Sequence, residues 1–193
     1  MKQTLREQLL KKRRSLEAGA HAQMSRDICR HGLTAIIDLM PTTVGAYAPM
    51  QGEADIWPLL AELYCQGMTV ALPVVMPNSK RLDYRRYIPG DQLQPGTHGT
   101  RVPSASAPRV TPDCLLVPLL GIDAQGHRLG YGGGYFDATL QSLRASNPDL
   151  AVCGVAFTLQ MLTTPLPREA HDEAVDMLIT ENGVDYFPRG ENQ

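Results

Sequence analysis

Apolar positions change period several times along the chain, and each change marks an element. Residues 2–17 place Leu5, Leu9 and Leu16 near helical spacing among charged neighbours, which predicts an amphipathic helix. Residues 21–39 repeat the pattern with Ile28, Ile36 and Ile37, and Pro41 stops it. Residues 43–49 read as a strand and 51–52 as a turn. Residues 54–65 read as a helix carrying Ile56, Leu59, Leu60 and Leu63, which Gly67 ends, and the β-branched run 69–75 as a buried strand. Strand, helix and strand within about 33 residues form a βαβ unit with parallel strands. Residues 82–88 alternate as an edge strand. Residues 115–120 form an apolar run, 121–134 a glycine-rich loop, and 135–144 a helix with Phe136, Leu140 and Leu143 on one face. Strands at 151–157 and 175–180 and a turn at 180–183 complete the pattern.

Composition narrows the class without naming a chemistry. The 193 residues are 43% apolar and 20% charged, ordinary for one globular domain spanning 1–193. Fifteen prolines and seventeen glycines favour short elements and loops over a helical bundle. A net charge of −2 gives no reason to expect a nucleic-acid partner. Four scattered cysteines without a C-x-x-C read as reduced, mostly buried thiols. No apolar run approaches the length of a membrane span, and the N-terminus lacks the apolar core of a signal peptide, so no membrane partner and a cytoplasmic location are expected. Residues 2–14 carry six basic side chains against Glu7 alone. Lys11, Lys12, Arg13 and Arg14 read as a solvated face.

The chemistry concentrates in the stretch from Leu115 to Leu140. A buried strand, a loop with glycines on both sides of Arg128, and a helix opening on Asp137 is how α/β proteins build an anion site. Glycines let backbone N–H groups approach a phosphate, Arg128 offers a bidentate clamp, and Asp137 can hold a metal ion bridging phosphates. The chain has no G-x-x-x-x-G-K-[ST], and Gly130-x-Gly132 is followed by Tyr135 where a dinucleotide fingerprint needs glycine. A glycine cluster alone reads equally as a tight surface turn.

The run Arg128-Leu-Gly-Tyr-Gly-Gly-Gly-Tyr-Phe-Asp137 resembles the R-L-G-x-G-x-G-Y-Y-D signature of 5-formyltetrahydrofolate cyclo-ligases, also called methenyltetrahydrofolate synthetases. Phe136 replaces a tyrosine and Ala138 an arginine common in bacterial members. Lys2-Gln-Thr-Leu-Arg6 resembles the family's Lys-x-x-x-Arg, whose side chains contact ATP phosphates. Met50-Gln-Gly-Glu53 resembles its folate-binding turn, where a carboxylate accepts from pterin N–H donors. Gly96 and Gly99 match a family loop over the substrate, but Thr100 and Val102 replace its aliphatic and acidic positions.

The resemblance implies a three-layer αβα fold with a mainly parallel sheet, like sugar-phosphate isomerases and coenzyme A transferases. It implies an ATP- and Mg2+-dependent enzyme, a monomer, acting on 5-formyltetrahydrofolate with or without a polyglutamate tail. Lys2, Arg6 and Arg128 would be catalytic. ATP would lie on them and on Leu129, Gly130, Tyr131, Gly132, Gly133, Gly134, Tyr135 and Phe136. Met50, Glu53 and Tyr135 would hold the folate, and Asp137 with Asp172 the magnesium. From the residues alone, Glu53 reads equally as a helix-dipole partner and Asp172 as part of a solvated acidic loop. A sugar-phosphate isomerase-like enzyme and a non-catalytic folate- or nucleotide-binding relative remain the alternatives.

Overall fold

The computed structural model describes residues 2–167, 169 and 172–188. Helices α1 (Lys2–Arg14) and α2 (Ala18–Leu39) lead into strand β1 (Thr43–Gly45), helix α3 (Trp57–Cys65) and strand β2 (Thr69–Val75). Then follow β3 (Leu82–Arg86), β4 (Gln94–Pro95), β5 (Arg101–Val102), β6 (Arg109–Val110) and β7 (Cys114–Pro118). A hairpin of β8 (Gly121–Ile122) and β9 (Arg128–Leu129) precedes helix α4 (Tyr135–Ser146). Strands β10 (Ala151–Val155), β11 (Met177–Thr180) and β12 (Gly183–Tyr186) close the order.

Eight strands form one sheet in the order β12-β11-β10-β7-β1-β2-β3-β6. The five from β11 to β2 run parallel; β12 pairs antiparallel with β11 at one edge, and at the other β3 pairs antiparallel with β2 and β6 with β3. Alternation along each strand divides its side chains between two cores. Leu72, Leu116, Cys153 and Ile179 pack with Ile28 and Ile36 of α2 and Leu59 of α3. Ala71, Leu115, Val117, Val152 and Leu178 pack with Leu140 of α4 on the other face. This is a three-layer αβα arrangement. The crossover from β1 leaves through α3 to β2, and that from β7 leaves through α4 to β10 on the opposite face. Strands β1 and β7 are neighbours, so the chain diverges between them and leaves a crevice at their carboxyl ends.

A third apolar cluster seats α1 over that crevice, with Leu9 packed on Leu120 just past β7, Leu129 of β9 and Leu166. The turn of the β8–β9 hairpin is pinned by the buried Asp123, whose Oδ1 accepts from the N–H groups of Gln125 and His127. Its Oδ2 accepts from Leu166 N–H.

Several expectations need correction. The first strand is three residues long, Thr43–Gly45. The 82–86 strand is not the edge, since β6 pairs along its outer side. The glycine-rich loop contains the β8–β9 pairing. Glu53 precedes α3 by four positions and does not open it. Of the cysteines, Cys114 and Cys153 are buried with sulfurs 3.8 Å apart, whereas Cys65 is exposed. Arg13 is not solvated; it is 1% exposed. Among the described residues no helix is long and apolar enough to cross a membrane.

Candidate active site

The crevice opens into a cleft of 540 Å³, within the size range of small-molecule sites. Its walls include the first turns of α1, the 50–53 turn after β1, the arm joining β3 to β6 (His98, Thr100 and Arg101), the 128–137 segment, Pro73, Val75, Leu82 and Pro118 of the sheet, and Leu166, Pro167, Glu169 and Asp172. All fifteen residues assigned from the sequence line it.

Glycine is required by backbone geometry at two of them. Gly132 and Gly134 have φ of 98° and 70°, the left-handed region that a side chain disfavours. A Cβ on Gly132 would also lie 3.3 Å from Arg6 Cζ. Arg6 donates through Nε to Gly130 O at 2.9 Å, so this guanidinium lies along the loop. Gly134 is the N-cap of α4, whose first-turn N–H groups have no partner within the helix. The segment thus presents backbone donors and a cation to the same part of the cleft.

The Arg128 side chain is 3% exposed and donates to Asp137 Oδ1 at 2.7 Å and to Glu173 O. Burial pulls its pKa down, and the Asp137 carboxylate pulls it back up. It therefore stands behind the loop and orients Asp137, while its edge lines the cleft. Asp137 Oδ1 also accepts from Glu173 N–H at 3.3 Å, and Oδ2 makes no hydrogen bond among the described residues. Lys2 Nζ lies 2.8 Å from Glu169 Oε1 and 3.5 Å from Asp172 Oδ2. The hydrogen bond to Glu169 raises the Lys2 pKa against the effect of burial. Phe136 lines the cleft but packs mainly against the apolar layer beneath α4.

On the opposite wall, Glu53 is 6% exposed. Its Oε2 accepts from Met50 N–H at 2.9 Å, and its Oε1 from Tyr131 Oη at 2.6 Å. The turn after β1 and the glycine loop are thereby joined. Burial pushes the Glu53 carboxyl above the usual carboxylate range, opposed by Tyr131, Arg13 and the Met50 N–H. The folded protein then holds this proton to a higher pH than the unfolded chain. Protonated Glu53 favours folding below the unfolded value, and that contribution is lost as pH rises through the folded one. Wild type should therefore lose melting temperature relative to Glu53→Gln as pH rises across that window. A difference that stays flat with pH would make Glu53 an ordinary carboxylate.

The model of the 5-formyltetrahydrofolate cyclo-ligase family matches residues 1–181. The chain belongs to this family. A 5-formyltetrahydrofolate cyclo-ligase of Haemophilus influenzae is 31% identical over 176 residues, covering 89% of this chain and 92% of that one. The Escherichia coli K12 protein of the same name is 30% identical over 178 residues, covering 90% and 96%. The solved structure of Aquifex aeolicus 5,10-methenyltetrahydrofolate synthetase superposes with a TM-score of 0.82 at 28% identity, covering all of this chain and 95% of that one.

Beyond the cyclo-ligase family motifs, sequence reasoning missed a residue buried beneath the cleft, Arg13, and several that line it. Arg13 donates to Tyr131 Oη at 2.5 Å and to the carbonyls of Gln51 and Leu119, each at 3.1 Å. A signal for it existed: Leu5, Leu9 and Arg13 are four apart, so Arg13 continues the apolar stripe of α1. His98 Nε2 lies 3.2 Å from Tyr135 Oη, so the arm touches the start of α4 across the cleft mouth. Thr100 and Arg101 line the cleft beside it. The Gly96 and Gly99 match points to this loop, but the departures at Thr100 and Val102 leave no residue of it assigned to the site. His21 and His31 bond the carbonyls of Glu53 and Thr180.

Proposed function

We propose that this protein catalyses the ATP-dependent closure of 5-formyltetrahydrofolate to 5,10-methenyltetrahydrofolate, with release of ADP and phosphate. The observation that carries this reading is the meeting, in one cleft of a cyclo-ligase family member, of the glycine loop, the Lys2/Arg6 face and the Glu53 turn. The formyl oxygen attacks the γ-phosphorus, an O–P bond forms, and ADP leaves with the electrons of the broken P–O bond. Nitrogen 10 then attacks the activated formyl carbon and loses its proton. The C–O bond breaks and phosphate departs with the former formyl oxygen. Such transfers need positioning and charge neutralisation, not a protein nucleophile. In this reading the loop N–H groups, Lys2 and Arg6 hold the triphosphate, and Lys2 exchanges its carboxylate partners for phosphate. Arg128 keeps Asp137 oriented. Glu53 accepts from the pterin N–H donors, with Met50 and Tyr135 against the ring system.

Magnesium fits the residues present. Asp137 and Asp172 supply hard oxygen donors on one cleft wall. Among the described residues no group of three acidic, histidine or cysteine side chains would hold a cation by itself, so phosphate oxygens would complete the coordination. When bound, the ion would neutralise charge on those oxygens. Asp137→Asn keeps the acceptor for Arg128 but removes the charge. It should raise the magnesium concentration for half-maximal turnover at least tenfold, an effect on the order of 1.4 kcal/mol. An unchanged magnesium curve would remove Asp137 from the metal site. The reading includes a monomeric, cytoplasmic enzyme that accepts folates with or without a polyglutamate tail.

The decisive experiment is ADP release with and without 5-formyltetrahydrofolate, alongside methenyl product formation. One ADP per methenyl product is expected. ADP release independent of the folate, or binding of both ligands without turnover, would overturn the assignment.

A further inference from the structure

Arg13 lies where the two halves of the proposed site touch. Tyr131 belongs to the glycine loop and Glu53 to the turn after β1, and a 2.6 Å hydrogen bond joins them. Arg13 holds that junction from below. Its Nη2 donates to Tyr131 Oη and to Gln51 O of the turn, and its Nη1 to Leu119 O just past β7. Its Cζ stands 5.8 Å from the Tyr131 ring centroid. One side chain on α1 thus grips the loop, the turn and the strand end together.

This is an expensive way to fill the space. A buried guanidinium loses its hydration and recovers it only through well-formed bonds. Arg13 Nε is buried with no hydrogen-bond partner among the described residues, so the recovery is incomplete. For stability alone, an apolar side chain continuing the Leu5–Leu9 stripe would serve better. What the charge adds is orientation. It points the Tyr131 hydroxyl lone pair toward itself and so directs the Tyr131 proton at Glu53 Oε1.

We propose that Arg13 is a positioning residue that couples nucleotide and folate binding through Tyr131 and Glu53. This rests on the functional reading above. A nucleotide settling on residues 130–134 fixes Tyr131, and through it the carboxylate that faces the folate. A folate that engages Glu53 fixes Tyr131 in turn. Each ligand orders a network that the other also needs, so the second to bind meets a site already set. Linkage makes the effect reciprocal: the factor by which nucleotide tightens folate binding equals the factor by which folate tightens nucleotide binding.

The test is calorimetric titration of the full chain with a non-hydrolysable ATP analogue plus magnesium, with 5-formyltetrahydrofolate, and with each in the presence of saturating other. In the wild type each ligand should tighten the other about fivefold or more, the lower end of ordinary coupling. Tyr131→Phe removes the hydroxyl and keeps the ring. Arg13→Lys keeps the charge and loses the planar fork. Both should reduce the factor below about twofold, since the shared network is broken. A purely structural Arg13 would lower the melting temperature and leave the factor untouched. Wild-type coupling retained in both variants overturns the proposal, as does a wild type that binds both ligands independently. A wild type that fails to bind one of the ligands overturns the functional reading and the proposal with it.

Discussion

Replacing Arg128 with alanine should both destabilise the protein and strip its nucleotide affinity. The Arg128 side chain is 3% exposed, and that of its partner Asp137 is 27% exposed. Removing one member of a fully buried pair costs about 3–5 kcal/mol, because the other is left charged and unpaired. Water can still reach Asp137, so screening brings the cost below that range, to about 2–3 kcal/mol. In a chain of this length that is a fall of roughly 4–12 °C in melting temperature. Glu173 O also loses its donor, which loosens the chain beside Asp172. Nucleotide binding should weaken tenfold or more, because Asp137 and the start of α4 lose the group that orients them; a charge-assisted bond is worth about 1.5–3 kcal/mol. Arg128→Lys should recover part of the stability and less of the affinity, since an ammonium cannot serve Asp137 and Glu173 O with one planar fork. A melting temperature within a degree or two of wild type would show that the pair does not hold the loop.

The double change Lys2→Ala and Arg6→Ala should separate catalysis from stability most cleanly. Lys2 is bonded to partly exposed carboxylates and Arg6 to a single loop carbonyl. Solvent-screened pairs of this kind contribute at most about 1 kcal/mol each, so the fold should survive with a small thermal shift. On the proposed chemistry these two cations face the charge that moves during phosphoryl transfer. Losing one preorganised donor typically costs about 10²–10³ in turnover, and the pair should lose at least that much. Full turnover in the folded double variant would return Lys2 and Arg6 to the role of an ordinary basic helix face.

The sequence by itself determined the elements and the chemistry that neighbouring residues can build. Helix and strand periods located most elements within a few residues, because binary patterning is a local property of the chain. The glycine loop, its arginine and its aspartate were legible for the same reason: an anion site on backbone N–H groups must be written in consecutive residues. The motifs carried Lys2, Arg6, Met50 and Glu53 to the site by resemblance, and the fold lines one cleft with them all.

Only the tertiary structure decided what depends on long-range contact. Arg13 meets Tyr131 across 118 positions and Leu119 across 106. Among four consecutive basic residues, nothing local says which one the packing of Leu9 on Leu120 and Leu129 will bury. Arg128 reads as a clamp facing a ligand until Glu173, 45 positions on, supplies the second acceptor that holds it behind the loop. The pairing of Lys2 with Glu169 and Asp172 spans the chain, and the arm between β3 and β6, which resemblance alone put over the substrate, is tied to the start of α4 where His98 meets Tyr135. The physical reason is common to these cases. A charged side chain takes its role from the partners that folding brings within hydrogen-bond reach, and its own neighbours in sequence do not name them.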